Sequence, residues 1–184
     1  MNNACEKIQG WVQQVQEHRT ADWDSLPEIY LYMDQVINYM ERQLHLFGRD
    51  DESVLLTPSM INNYVKDRVL PRPDKKKYSR EHLAMLTVVC LLKQVLSIQD
   101  LSSVLNSGSG EAYQKEIYES FRTAQERELA GVCERVGQAA EQGEEELRTL
   151  ACALAVEASA RRTAAERILS ELAHSKKETE EKLS

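Results

Sequence analysis

The stretch from Thr57 to Leu83 constrains the fold more than any other, because it holds two prolines that a helix cannot cross. Pro71 pushes Leu70 out of the helical region, and Pro73 does the same to Arg72, so a helix that begins upstream must end there. Thr57 is placed to accept a hydrogen bond from the free amides of a first turn. Pro58 takes the first helical position, where its missing N–H loses nothing. Met60, Ile61, Tyr64 and Val65 recur at spacings of three and four and form an apolar face. Ser59, Asn62, Asn63 and Lys66 fall mostly on the opposite, polar side. A basic loop runs from Arg72 to Lys77. Ser79 then caps a helix predicted over 79–96, which is apolar on nearly all sides from Leu83 to Leu96 and therefore belongs in the middle of the fold.

On either side of this stretch the helical periodicity continues. Residues 3–19 carry a narrow stripe of Ile8, Trp11, Val12 and Val15. Ser25-Leu26-Pro27-Glu28 has the form of a capping box, but Ile29 to Tyr32 reads equally as an extended piece with Asp34 as the cap. The second reading gives a helix from about Met33 to His45, with Val36, Ile37, Met40 and Leu44 inward. A polar connector, Phe47 to Val54, brings acidic residues close to the next helix. Ser97 and Asp100 start a short helix that ends by Leu105, and Asn106 to Gly110 break the pattern. Two long helices follow, at about 111–141 and 144–175, divided at Gln142-Gly143. The second repeats Leu147, Ala151, Leu154, Ala158, Arg161, Ala165, Ile168 and Leu172 at alternating spacings of four and three. That seam either packs within its own chain or pairs with a second copy, and Arg161 needs a carboxylate there, such as Glu157 or a Glu of a partner helix. Residues 176–184 carry no apolar stripe and read as a frayed end.

Composition excludes several classes. No run of about 18 apolar residues is present and Met1 to Gly10 do not resemble a leader, so a cytoplasmic protein without membrane contact is expected. The four cysteines are far apart and show no CxxC spacing, which suits reduced thiols, with Cys90 a core filler. Cys133 and Cys152 fall on different helices, and His18, His45, His82 and His174 are scattered, so neither a metal site nor a catalytic cluster is predicted. His82 instead suits a first-turn structural role. No phosphate-binding glycine loop is found, and the carboxylates alternate with Lys and Arg on helix faces. No cofactor and no enzymatic activity are therefore expected. The net charge of −7 conceals an island: from Thr57 to Ser97 there are eight Lys or Arg against three acids, a local +5. A basic island in an acidic chain is the footprint of a small phosphate-contacting surface.

The order of helix, Leu-Pro stop, basic loop, Tyr-Ser cap and apolar helix resembles the MerR-like winged helix-turn-helix. The matching text is Met60 to Lys66 with Val69-Leu70-Pro71, then Tyr78 to Leu83, then Val95 to Leu101. The span Leu31–Leu105 is more similar still to a bacterial family of unknown function placed near MerR, through LYMDQV, LTPSMINNYVK and KKKYSREHLA. The resemblance implies an all-α fold with a small β wing, a winged helix-turn-helix followed by a C-terminal helical hairpin. Residues 1–29 would form an N-terminal helix and connector, 30–106 the winged domain, 107–110 a linker, 111–175 the hairpin and 176–184 the tail. It implies a regulator that binds double-stranded DNA as a homodimer through its C-terminal helices. Ser59, Asn62, Asn63 and Lys66 would enter the major groove, and Arg72, Lys75, Lys76 and Lys77 would contact phosphates. The family's Arg and Tyr after the Thr-Ile pair are Asn62 and Asn63 here, residue types able to read adenine. The competing reading is an interaction module that keeps the fold without binding DNA.

Overall fold

The computed structural model describes residues 3–48, 55–108 and 110–183, with side chains described from 4 to 175 within those ranges. Seven α-helices make up most of it: α1 (Asn3–Glu17), α2 (Met33–Leu44), α3 (Pro58–Lys66), α4 (Arg80–Leu92), α5 (Ile98–Leu105), α6 (Glu111–Gln142) and α7 (Glu144–Leu183). The acidic part of the Phe47–Val54 connector, residues 49–54, lies outside the described residues.

Helix α4 is the axle, as its composition demands. Every residue from His82 to Cys90 is buried. Around it pack Val36, Met40 and Leu44 of α2, Ile61 and Tyr64 of α3, and Leu101 and Leu105 of α5. The helix ends at Leu92, four residues before the predicted limit. There Val95 and Leu96 turn back to donate to the Leu92 carbonyl, both at 2.9 Å, and Val95 is left 39 % exposed. A second apolar cluster holds Val12 and Val15 of α1 against Cys133 and Val136 of α6, with Leu147, Leu150 and Leu154 of α7 beside them.

The main core does not stop at the 107–110 break. Tyr118, fully buried, joins the same cluster as Trp23, Met40 and Leu83, and Ile117 and Phe121 pack on its flank. Polar ties follow the same path. The Tyr118 hydroxyl donates to the Ala21 carbonyl at 2.5 Å, the Trp23 amide donates to Glu119 at 2.7 Å, and Thr20 donates to Gln125 at 3.1 Å. The first third of α6 is therefore part of the body around α4 rather than part of a separate hairpin. Apolar spacing along α6 marks Tyr113, Ile117, Phe121, Ala124, Val132 and Val136 but passes over Tyr118, whose partners lie about a hundred residues away in sequence.

Several local expectations need correction. No β strand is found among the described residues; the expected wing is reduced to isolated antiparallel bridges, Leu31 with Tyr78 and Asp74 with Lys77. The bridge at Leu31 supports the extended reading of Ile29 to Tyr32. The cap of α2, however, is Tyr32 rather than Asp34: its amide donates to the Gln35 side chain at 2.9 Å. Arg161 pairs with Glu128 of α6 at 2.7 Å and not with Glu157, which takes a two-pronged bond from Arg135 at 2.7 and 2.9 Å. Helix α7 runs on through residues 176–183, in keeping with the high helix propensity of Lys and Glu. His18 and His45 are not isolated: the end of α1 lies against the turn after α2, and their rings stand edge to face at 6.1 Å. No described helix is long and apolar enough to cross a membrane.

Candidate nucleic-acid interface

Helix α3 presents its polar face outward. The Thr57 hydroxyl accepts from the Met60 amide at 3.2 Å, as its position before Pro58 predicts, while Ile61 and Tyr64 anchor the helix to the core. Ser59, Asn62, Asn63 and Lys66 are all exposed. Burial in the core lifts the Tyr64 phenol to about 12, so it stays neutral.

The end of α3 is closed by Arg68 in the left-handed region, with φ 59°. This lets the Val69 and Leu70 amides fold back onto the Tyr64 carbonyl at 2.8 and 3.1 Å. Glycine or asparagine is the usual choice at such a position. The Arg68 carbonyl accepts from the Asn106 side chain at 2.8 Å, which ties the exit of α3 to the end of α5. Lys66, Arg68 and Arg72 line one open groove together with Asn62 and Asn106.

Beyond Pro73 the chain reverses in two residues. Lys77 donates its amide to the Asp74 carbonyl at 2.8 Å, and both residues between, Lys75 and Lys76, adopt positive φ of 47° and 65°. Two left-handed residues are the requirement of a type I′ turn, normally met by Asn-Gly. The Leu31–Tyr78 bridge holds the turn beside the start of α2, where the Lys77 ammonium lies 5.7 Å from the Tyr32 ring. Tyr32, Tyr30 and Ile29 are more than half exposed there.

Two cations of the basic island are engaged elsewhere. Arg80 is 16 % exposed and pairs with Glu28 at 2.8 Å. Lys93 donates to the Leu55 carbonyl at 2.7 Å, and burial lowers its pKa. Lys66, Arg68, Arg72, Lys75, Lys76 and Lys77 make no ion pair among the described residues. All eight predicted site residues are thus on the surface. Asn62, Lys66 and Arg72 share the groove, while the three lysines form a separate turn near Tyr32. The sequence reading overlooked Arg68 as a site residue, although its place just after a helix and before the Leu-Pro stop is the signal for a left-handed cap.

His82 supports this region from inside. Its Nδ1 accepts the Ser79 amide at 3.1 Å and lies 2.9 Å from the Ser79 hydroxyl, which fixes the start of α4 just after the lysine turn. Burial lowers the pKa of His82, against weaker opposing effects from the Pro71 backbone and Glu81. His18 is lowered too, by burial and by the charges of His45 and Arg19. The folded state thus binds fewer protons than the unfolded one. Stability is complete above the ordinary histidine value of about 6.5 and is lost as pH falls below it toward the folded pKa values. Melting temperatures should drop as pH falls below about 6.5. His82→Gln, which keeps a capping acceptor, should remove part of that drop, and His18→Gln should remove another part. A double variant with the full drop would contradict the assignment.

Among the described residues, no three His, Cys, Asp or Glu side chains gather as metal ligands would. Cys90 and Cys133 are buried free thiols, and burial pushes Cys90 up to about 11. No curated protein and no solved structure matches the chain. One family model, described as a domain of unknown function (DUF1836), matches residues 21–123. Those bounds follow the main core, from the connector that seats Trp23 to just past Phe121, and are wider than the Leu31–Leu105 span of the motifs. Since the match takes in more than half of the 184 residues, the chain belongs to the DUF1836 family of domains of unknown function.

Proposed function

We propose that the protein is a sequence-specific, double-stranded DNA-binding regulator, with α2 and α3 as a MerR-like helix-turn-helix and the Asp74–Lys77 turn as a minimal wing. One observation carries the reading. Among the described residues, the side-chain-bearing residues with positive φ are Arg68, Lys75 and Lys76, all cations of the candidate interface. The left-handed conformation disfavours such residues by about 1 to 2 kcal/mol each, and glycine avoids that penalty. Cations kept in unfavourable backbone positions, with no ion-pair partner, suit a surface that meets phosphates. Helices α2 and α3 both send side chains into the core around α4, and α3 offers Asn62 and Asn63 to base edges.

The test is DNA selection with the purified chain, followed by variants. Asn62→Ala or Asn63→Ala should weaken binding to the selected site by about 1 to 3 kcal/mol and leave random DNA almost unaffected. If no sequence is enriched and no salt-dependent binding is found, the interaction-module reading takes its place.

The homodimer belongs to the same proposal. A nine-residue recognition helix reads few base pairs alone, and two-fold pairing extends the site. Leu147 and Leu154 of the α7 seam are taken by α6, but Ile168 and Leu172 remain 59 % and 61 % exposed. Light scattering at tens of micromolar should give twice the chain mass, and Ile168→Glu with Leu172→Glu should return it to one. A monomer for the parent chain would remove the dimer from the proposal.

A further inference from the structure

The early end of α4 leaves a groove between its last turn and the facing sides of α6 and α7, with a volume of about 520 Å³. Leu92, Val95, Leu96, Val132 and Leu154 supply apolar lining. Gly131 contributes a stretch of wall with no side chain. The volume falls within the usual range of small-molecule sites. The charged lining is unbalanced: Arg127, Arg135, Arg161 and Arg162 against Glu128 and Glu157, a net positive edge on a chain whose total charge is −7.

The four arginines are not equivalent. Arg135 with Glu157 and Arg161 with Glu128 cross from α6 to α7 and clamp the two helices. Arg127 and Arg162 are 76 % and 57 % exposed and pair only along their own helices, with Glu128 at 3.2 Å and Glu166 at 2.8 Å. Exposed pairs of that kind contribute only about 0 to 1 kcal/mol, so a ligand carboxylate competes for these guanidiniums on good terms. A carboxylate also matches the two-pronged donor geometry of arginine.

We propose that this groove binds a small amphipathic anion, with an apolar body in the groove and a single anionic head held by Arg127 and Arg162. The inference stands apart from DNA binding and would survive its failure.

The probe is 8-anilinonaphthalene-1-sulfonate, titrated into the full-length chain, with decanoate and 1-decanol as competitors. One saturable site is expected, from which decanoate displaces the probe at least tenfold better than 1-decanol does. Gly131→Leu fills the groove. A Cβ there meets nothing within 4 Å, and leucine is the better helix former, so the fold should hold while probe affinity falls at least tenfold. Arg127→Gln with Arg162→Gln should weaken decanoate about tenfold and leave 1-decanol unchanged. The proposal is overturned if folded Gly131→Leu binds the probe as the parent does, if the two competitors are equivalent, or if binding does not saturate. It is equally overturned if binding disappears as the chain self-associates, which would make a second copy the occupant. Should Gly131→Leu fail to fold, the arginine variant decides by the same competition.

Discussion

Ending the chain at Gly110 is expected to abolish folding, not to release a stable domain. The linker at 107–110 suggests that residues 30–106 stand alone, but Tyr118 is fully buried in the core that also holds Trp23 and Leu83. Its removal opens a cavity the size of a tyrosine and leaves the Ala21 carbonyl without its donor. Tyr118→Ala alone should destabilise by about 3 to 5 kcal/mol, a large part of the stability of an ordinary domain. Tyr118→Phe loses only the hydroxyl and should lose about 1 kcal/mol. A fragment of residues 21–123 keeps Ile117, Tyr118 and Phe121 and should melt cooperatively, whereas 21–110 should give the circular dichroism of a largely unfolded chain. A cooperative melt for 21–110 would show that α6 is dispensable to the core.

Replacing Lys75 and Lys76 by Asn and Gly should move stability and DNA binding in opposite directions. Both positions have positive φ in a two-residue turn, and Asn-Gly satisfies that conformation without the steric penalty of longer side chains. The variant should be more stable by about 1 to 2 kcal/mol in urea titrations. It should also bind every DNA sequence more weakly, with a salt slope shallower by about 2 units, one for each lost phosphate contact. Adding Lys77→Ala extends the change toward 3 units. It also removes the ammonium near the Tyr32 ring, which offsets part of the gain, since such exposed contacts are worth about 0.5 to 1 kcal/mol. A more stable variant with an unchanged salt slope would separate the turn from nucleic-acid binding. A less stable variant would mean that the lysines hold the turn through contacts of their own.

Much of the helical framework was legible from local chemistry. Thr57-Pro58 announces the start of α3, and the unbroken apolar run the central place of α4, because caps and periodicity act within a few residues of themselves; the Leu-Pro stop only bounds α3, which ends earlier, at Lys66. The exposure of Ser59, Asn62, Asn63 and Lys66 follows from the same periodicity, since Ile61 and Tyr64 claim the opposite face. What the sequence did not show depends on partners distant in the chain. Tyr118 lies off the apolar stripe that spacing marks on α6, and only the meeting with Ala21 and Trp23 across the core gives it a role. Arg161 reads as an intruder in a seam until antiparallel pairing of α6 and α7 delivers Glu128. The lysine run reads as a basic loop, and only the closure of Asp74 on Lys77, held by the Leu31–Tyr78 bridge, puts Lys75 and Lys76 in the left-handed region. Local propensity governs where elements begin and which face is apolar; which apolar faces meet, and which cations are left unpaired, is decided by long-range packing, whose free energy no single segment carries.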